Sequence, residues 1–240
     1  CLETATLGVI GAAGNIGRVY AEMMAETVPQ LVLVGRETGP RLVRVAARIY
    51  EAAYERLLAG DRGGVAGAIA GTCAVAALEG ERPVGEQLYA ALAAELGEAA
   101  PLRVASDMAA LRSCRLIVAA SNSAKPLIFP EHLAAGPVVI CDLSVPEDTA
   151  PEVASARPDV QVIKGGLVAI PHDPAYRVAG VPLPEGHAFA CMSETLLLGL
   201  MGVREHFSYG PVEPAKVKQA MAWAGVNGFK LGALKTDRSY

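Results

Sequence analysis

Gly11, Gly14 and Gly17, spaced three apart, close the stretch Leu7-Gly8-Val9-Ile10-Gly11-Ala12-Ala13-Gly14-Asn15-Ile16-Gly17, after an apolar run and before a helical pattern. A strand that turns on glycine into a helix is suited to hold a phosphate. The first glycine permits the tight turn, the second lets backbone approach a pyrophosphate, and the third lets helix and strand pack closely. Amides left unpaired at the helix start face the anion. The spacing predicts a dinucleotide held over Gly11, Ala13, Gly14, Asn15, Ile16 and Gly17. The next apolar run ends Val34-Gly35-Arg36-Glu37-Thr38. An acidic residue there suits the ribose hydroxyls of NAD, and an arginine suits the 2′-phosphate of NADP. Arg36 comes first, so NADPH is the expected cofactor, although Glu37 follows directly. Arg41 is a second cation for the phosphate. Arg44 and Arg48 share its helical face and read as a solvated basic strip.

Three more loops follow apolar runs: Ala119-Ala120-Ser121-Asn122-Ser123, Cys141-Asp142-Leu143-Ser144-Val145-Pro146 and Lys164-Gly165-Gly166-Leu167. Ligands of open α/β sheets bind beyond the carboxyl ends of the strands. Ala120, Ser121, Asn122, Leu143, Ser144, Gly165 and Gly166 are therefore expected to line the ribose and nicotinamide.

A second chemistry lies in Glu185-Gly186-His187-Ala188-Phe189-Ala190-Cys191-Met192-Ser193-Glu194. A loop rich in proline and glycine there runs into an apolar helix, with Cys191 near the start. A helix N-terminus favours a nucleophilic thiolate. His187 is placed one turn earlier, within reach of the sulfur, and Glu194 three residues on. A free cysteine is also a common packing residue, so both readings stand on these residues alone. Cys141 is a rival nucleophile, disfavoured by the carboxylate of Asp142. Cys73 reads as packing inside an Ala/Gly helix, and Cys1 and Cys114 have no evident partner. With His132, His172 and His206 scattered, no metal site is expected.

The runs that position these groups are short and rich in Val, Ile and Leu: 5–10, 31–34, 116–120, 138–141 and 160–163, with 102–106 weaker. Such runs fit strands covered on both faces. Alternation with helical patterns predicts a Rossmann-like, doubly wound parallel α/β sheet. Between Arg36 and the run near Val104 lie more residues than one crossover helix needs. They read as a helical insertion over about 40–98, in pieces 40–58, 64–78 and 84–96, broken at 60–63 and 80–83. A C-terminal helical segment is expected over about 185–235, with helices at 189–207 and 215–223 and a polar tail after Leu234. Together these predict one NAD(P)-binding domain, 1–240.

Composition fits this. Of 240 residues, 52% are hydrophobic and 19% charged, too apolar for a disordered chain. Aromatics make up 5%, so the core rests on Ala, Val, Leu and Ile. The longest uncharged run, 63–78, is too short to span a membrane. A net charge of −4 lacks the basic footprint of a nucleic-acid binder. Five dispersed cysteines with no C-x-x-C pair read as reduced thiols of a cytoplasmic protein. The first residue is Cys1, not Met, so the chain is expected to be part of a longer one. Low charge and many small residues allow a homo-oligomer.

Ile163-Lys164-Gly165-Gly166-Leu167-Val168, Phe189-Ala190-Cys191-Met192-Ser193-Glu194-Thr195-Leu196-Leu197 and Phe207-Ser208-Tyr209-Gly210 resemble the aldehyde-forming acyl-[acyl-carrier-protein] reductases. The glycine turn and Arg36 match as well, and the likeness spans most of residues 5–228. The resemblance implies NADPH-dependent reduction of a fatty acyl thioester to an aldehyde, with Cys191 as the acyl-accepting nucleophile. It also implies an acyl carrier protein or coenzyme A as donor, and a missing substrate-binding region before the glycine turn. Arg41, Arg44 and Arg48 are a candidate patch for an acidic carrier. Residues 121–123 and 142–146 are similar to the nucleotide domains of glutamyl-tRNA and shikimate-type dehydrogenases. Two other functions remain open: an NADP-dependent dehydrogenase of a small carbonyl compound or hydroxy acid without covalent catalysis, and a non-catalytic nucleotide-binding module of a larger synthase.

Overall fold

The apolar runs do become parallel strands. The structure, a computed structural model, describes residues 2–78, 83–181 and 183–232. Cys1, most of the break at 80–83 and the tail after Leu234 lie outside them. The chain divides into two compact units, Cys1–Val162 and Ile163–Tyr240. The sequence predicts one domain, 1–240, with a C-terminal helical segment over about 185–235; the second unit's strands are too short to leave a pattern.

The first unit holds strands β1 (Thr6–Ile10), β2 (Gln30–Val34), β3 (Leu102–Ala105), β4 (Leu116–Ala119), β5 (Val138–Asp142) and β6 (Val160–Lys164), the last ending just past the unit boundary. Their order in the sheet is β3-β2-β1-β4-β5-β6. The pairs β1–β2, β1–β4, β2–β3 and β4–β5 are all parallel. This is a Rossmann-like α/β layout, the order of two mononucleotide-binding halves that meet between β1 and β4. Leu7, Val9, Leu31, Leu33 and Val118 turn to one core and Ile10, Val32, Val34, Ile117 and Ile140 to another, so the central strands are buried on both faces. The helix α1 (Asn15–Met24) follows the glycine turn.

The segment after β2 is the β2–β3 crossover and supplies much of the first core. It comprises α2 (Pro40–Leu58), α3 (Gly64–Ile69), α4 (Cys73–Ala76) and α5 (Gly85–Leu96). The single helix expected at 64–78 is broken at Gly71, which takes φ 80°. Tyr50 and Tyr54 are buried among Leu42, Ile49, Val65, Leu88 and Leu92. The Tyr50 hydroxyl accepts the Leu102 amide at 3.0 Å, and the Tyr54 hydroxyl donates to the Leu78 carbonyl at 3.2 Å. A Cβ on Gly85 would lie 2.2 Å from the Ala47 carbonyl oxygen, so only glycine lets α5 cross α2 this closely. Glu51 of α2 accepts the Val84 and Gly85 amides at the start of α5. Glu95 of α5 accepts the Cys73 and Ala74 amides at the start of α4.

Among the described residues, the second unit holds a three-stranded antiparallel sheet and two helices. The strands are β7 (Leu167–Ala169), β8 (His187–Phe189) and β9 (Lys230–Leu231), in the order β8-β7-β9. The helices are α7 (Ala190–Leu200) and α8 (Pro214–Val226); α6 (Glu152–Ala156) belongs to the first unit. The helix expected at 189–207 is thus shorter and is preceded by a strand. Among the described residues no helix is long and apolar enough to cross a membrane, and no cluster of His, Cys, Asp or Glu could hold a metal.

Candidate functional site

The glycine turn sits where β1 ends between its neighbours β2 and β4. The Gly11 and Ala12 amides donate to the Val34 carbonyl at the end of β2, and the Ala120 amide donates to the Ile10 carbonyl. Gly11 takes φ 74°, and a Cβ there would lie 2.4 Å from the Ala120 carbonyl oxygen. A Cβ on Gly17 would lie 2.4 Å from the Gly11 carbonyl oxygen, which is the close helix–strand contact the spacing predicts. Gly14 is the N-cap of α1, and a Cβ on it would meet only the Gly11 oxygen, at 3.2 Å. Its outer side is open. Ala13, Gly14, Asn15 and Ile16 are all exposed. The result is a bare backbone cradle at a helix N-terminus, which fits a pyrophosphate. Ile16, 58% exposed, belongs to this rim.

The loops after β2 and β4 meet across this cradle. Arg36 Nη2 donates to Asn122 Oδ1 at 3.2 Å. Arg36 and Asn122 are exposed. The Glu37 carboxylate folds back beside Gly39, the N-cap of α2: a Cβ on Gly39 would lie 3.3 Å from its Oε1. Arg41 is exposed in the first turn of α2, as is Arg44 one turn on. Arg48 is different. It pairs with Glu22 at 3.0 Å, and Glu22 also accepts Arg18 at 2.9 Å, so its charge is answered on the spot.

Ser121 and Ser144 are turned inward. The Ser121 hydroxyl donates to Asp148 Oδ1 and the Ser144 hydroxyl to Asp148 Oδ2, both at 2.6 Å. The Ser121 amide adds bonds to Ser144 Oγ and Asp148 Oδ2. The Asp148 carbonyl accepts the Leu127 and Ile128 amides. Beside it, Asp142 accepts the Ser144 amide, the Thr149 amide and the Thr149 hydroxyl. Asp142 and Asp148 are buried. Burial pushes the Asp142 carboxyl above its ordinary value, its three donors oppose that, and Asp148 adds a smaller push upward. These two carboxylates and Thr149 were missed as a unit. Their signal in the sequence was two acids six residues apart around Ser144. Leu143 is half-buried, its amide on the Ala119 carbonyl.

Cys141 is half-buried, and burial followed by Asp142 pushes its thiol up. Cys114 is buried, its thiol likewise raised. Cys73 is exposed at the first residue of α4. Its expected packing role fails because α4 has only four residues and turns this one outward.

Gly165, Gly166 and Cys191 fall in the second unit. Gly166, φ 74°, gives its carbonyl to the Ala190 amide at 2.7 Å, the first amide of α7. Cys191 is the second residue of α7 and is exposed. Its amide and that of Met192 have no intrahelical acceptor. Ser193 and Leu197 form the buried side of the helix, and the Ser193 hydroxyl has no hydrogen-bond partner. His187 is not one helical turn before Cys191. It lies in β8, its Nδ1 2.8 Å from the Glu185 carbonyl oxygen, because the backbone is extended up to Phe189.

No family model matches the chain. It is similar to part of Aminotransferase PigE of Serratia sp. (strain ATCC 39006), 36% identical over 100 residues, which cover 40% of this chain and 11% of that protein.

Proposed function

We propose that the chain reduces an acyl thioester to an aldehyde with NADPH, by way of an acyl group carried on Cys191. The observation that carries this reading is an exposed cysteine at the second position of a helix, in the same chain as a dinucleotide-shaped glycine cradle. The Gly11–Gly17 turn offers backbone to the pyrophosphate, and Arg36 and Arg41 offer cations to a 2′-phosphate. When bound, NADPH supplies hydride. The Cys191 sulfur attacks the acyl carbonyl, forming a carbon–sulfur bond, and the carrier leaves as a thiol. Hydride addition to the new thioester gives a hemithioacetal, which releases aldehyde and restores the cysteine. The amides of Cys191 and Met192 stand ready for the oxygen that becomes negative in both steps. Arg41 and Arg44 remain a candidate contact for an acidic carrier; Arg48 is held by Glu22.

Intact-mass measurement after incubation with an acyl thioester and no NADPH tests the reading. We expect one acyl mass on the wild type, none on Cys191→Ala, and aldehyde once NADPH is added. NADPH oxidation with no adduct would favour a dehydrogenase without covalent catalysis. Nucleotide binding with no turnover would favour a non-catalytic module.

The similarity to a stretch of an aminotransferase supports an addition. Eleven per cent of that protein is too small a share to bring amino transfer itself to this chain. Amino transfer does need a carbonyl acceptor, and an aldehyde is one. We place this chain's product upstream of amine formation; supplying a separate aminotransferase and amino donor should then convert the thioester to an amine.

A further inference from the structure

The loop after β4 carries Ser121, Asn122 and Ser123, and the structure divides their labour. The Ser121 amide and hydroxyl are tied to buried Asp148. The Ser123 amide donates back to Ser121 Oγ, its hydroxyl donates to the Lys125 carbonyl, and the Lys125 amide donates to it. Both serines therefore serve the loop's own shape. Asn122 stands exposed between them, and its side-chain oxygen accepts Arg36 Nη2. In the sheet β2 and β4 lie on either side of β1. The Arg36–Asn122 bond thus spans the end of β1, from the loop that should read the adenosine ribose to the loop on the other side of the turn. An arginine has five N–H donors in a rigid fork, so this bond holds one donor at Asn122 and leaves the others for an anion. Glu37, the natural rival for that charge, is folded back beside Gly39.

We propose that Asn122 is a specificity-determining positioning residue. It aims Arg36 at the 2′-phosphate, and Asp148, acting through Ser121, sets Asn122 in place. The proposal rests on the reading of the first unit as an NADPH site. It makes discrimination between NADPH and NADH a property of two loops, one of which acts through an uncharged side chain.

The test is fluorescence titration of the full chain with NADPH and with NADH. Wild type should prefer NADPH, and Arg36→Ala should abolish the preference. Asn122→Ala should weaken NADPH about five- to ten-fold more than it weakens NADH, the worth of one charge-assisted bond. Asn122→Asp keeps an acceptor for Arg36 but opposes the phosphate with a negative charge, so it should weaken NADPH more than Asn122→Ala does. Loss of both nucleotides alike in Asn122→Ala would reduce Asn122 to a structural residue and overturn the proposal. An unchanged NADPH-to-NADH ratio would overturn it as well, while leaving the NADPH reading intact. A wild type that binds neither nucleotide would overturn both.

Discussion

The loops at the carboxyl edge of the first unit and the start of α7 in the second are both candidate sites, yet they are built in opposite ways. In the first unit each serine or acid turned inward meets a partner: Asp148 takes three donors and Asp142 three. In the second, the one buried hydroxyl of α7 has none, and large apolar side chains such as Leu200, Met221, Val226 and Leu231 stand exposed. α8 buries no residue. The first arrangement is a frame whose shape is fixed before anything binds. The second holds the exposed Cys191 on a helix with a thin base. Precise loop geometry suits the nucleotide recognition proposed for the first unit, where misplaced donors cost affinity. The acyl acceptance proposed for Cys191 needs access more than enclosure.

The sharpest way to break this contrast is Asp148→Ala. It strands the Ser121 and Ser144 hydroxyls and leaves the Ser121 amide only Ser144 Oγ, so it should cost about 3 kcal/mol of first-unit stability by denaturant unfolding. A loss under about 1 kcal/mol would mean the frame is not held from Asp148. Tyr50→Phe should cost about 1–2 kcal/mol, because the Leu102 amide loses its acceptor. Ser193→Ala should have the reverse sign in the second unit. Removing an unpartnered buried hydroxyl should stabilise it by about 1 kcal/mol, read as slower amide exchange along α7.

Asp142 gives a smaller, pH-dependent effect. Its folded value is raised by burial, so its stabilising contribution is full below the ordinary carboxylate value and is lost as pH rises through the folded one. The unfolding free energy of wild type relative to Asp142→Asn should therefore improve as pH falls through the carboxylate range. The opposite slope would mean that the three donors outweigh burial. Smallest of all, Leu200→Ala, at a side chain 64% exposed, should change stability by less than about 0.5 kcal/mol.

The same contrast explains what could be read in advance. The strands β1, β2, β4 and β5 were legible because burial on both faces writes an unbroken apolar run. Gly11 and Gly17 were legible because a forced backbone admits few residue types. Ser121 and Ser144 were placed at the right edge but facing the wrong way. Their partner Asp148 lies 27 residues from Ser121, and a hydroxyl's direction leaves no periodic trace. His187–Phe189 was read as the approach to a helix, since a three-residue strand has no room to show a period and is defined only by its pairing with β7. Asn122 stood in the expected loop, but its bond to Arg36 spans 86 residues and had no local signature.

The two glutamates of the crossover have a consequence for how the molecule opens. α4, with four residues, is far below the length at which a helix sustains itself. Its first amides rest on Glu95, a side chain of α5, and the first amides of α5 rest on Glu51, a side chain of α2. The order of support skips ahead along the chain from α2 to α5 and only then turns back to α4. A transient opening that frees α5 from α2 must also release α4, although α4 precedes α5 in sequence. In native-state hydrogen exchange the amides of Cys73 and Ala74 should then never outlast those of Val84 and Gly85, and the crossover should behave as one cooperative unit with α2 as its last part to open.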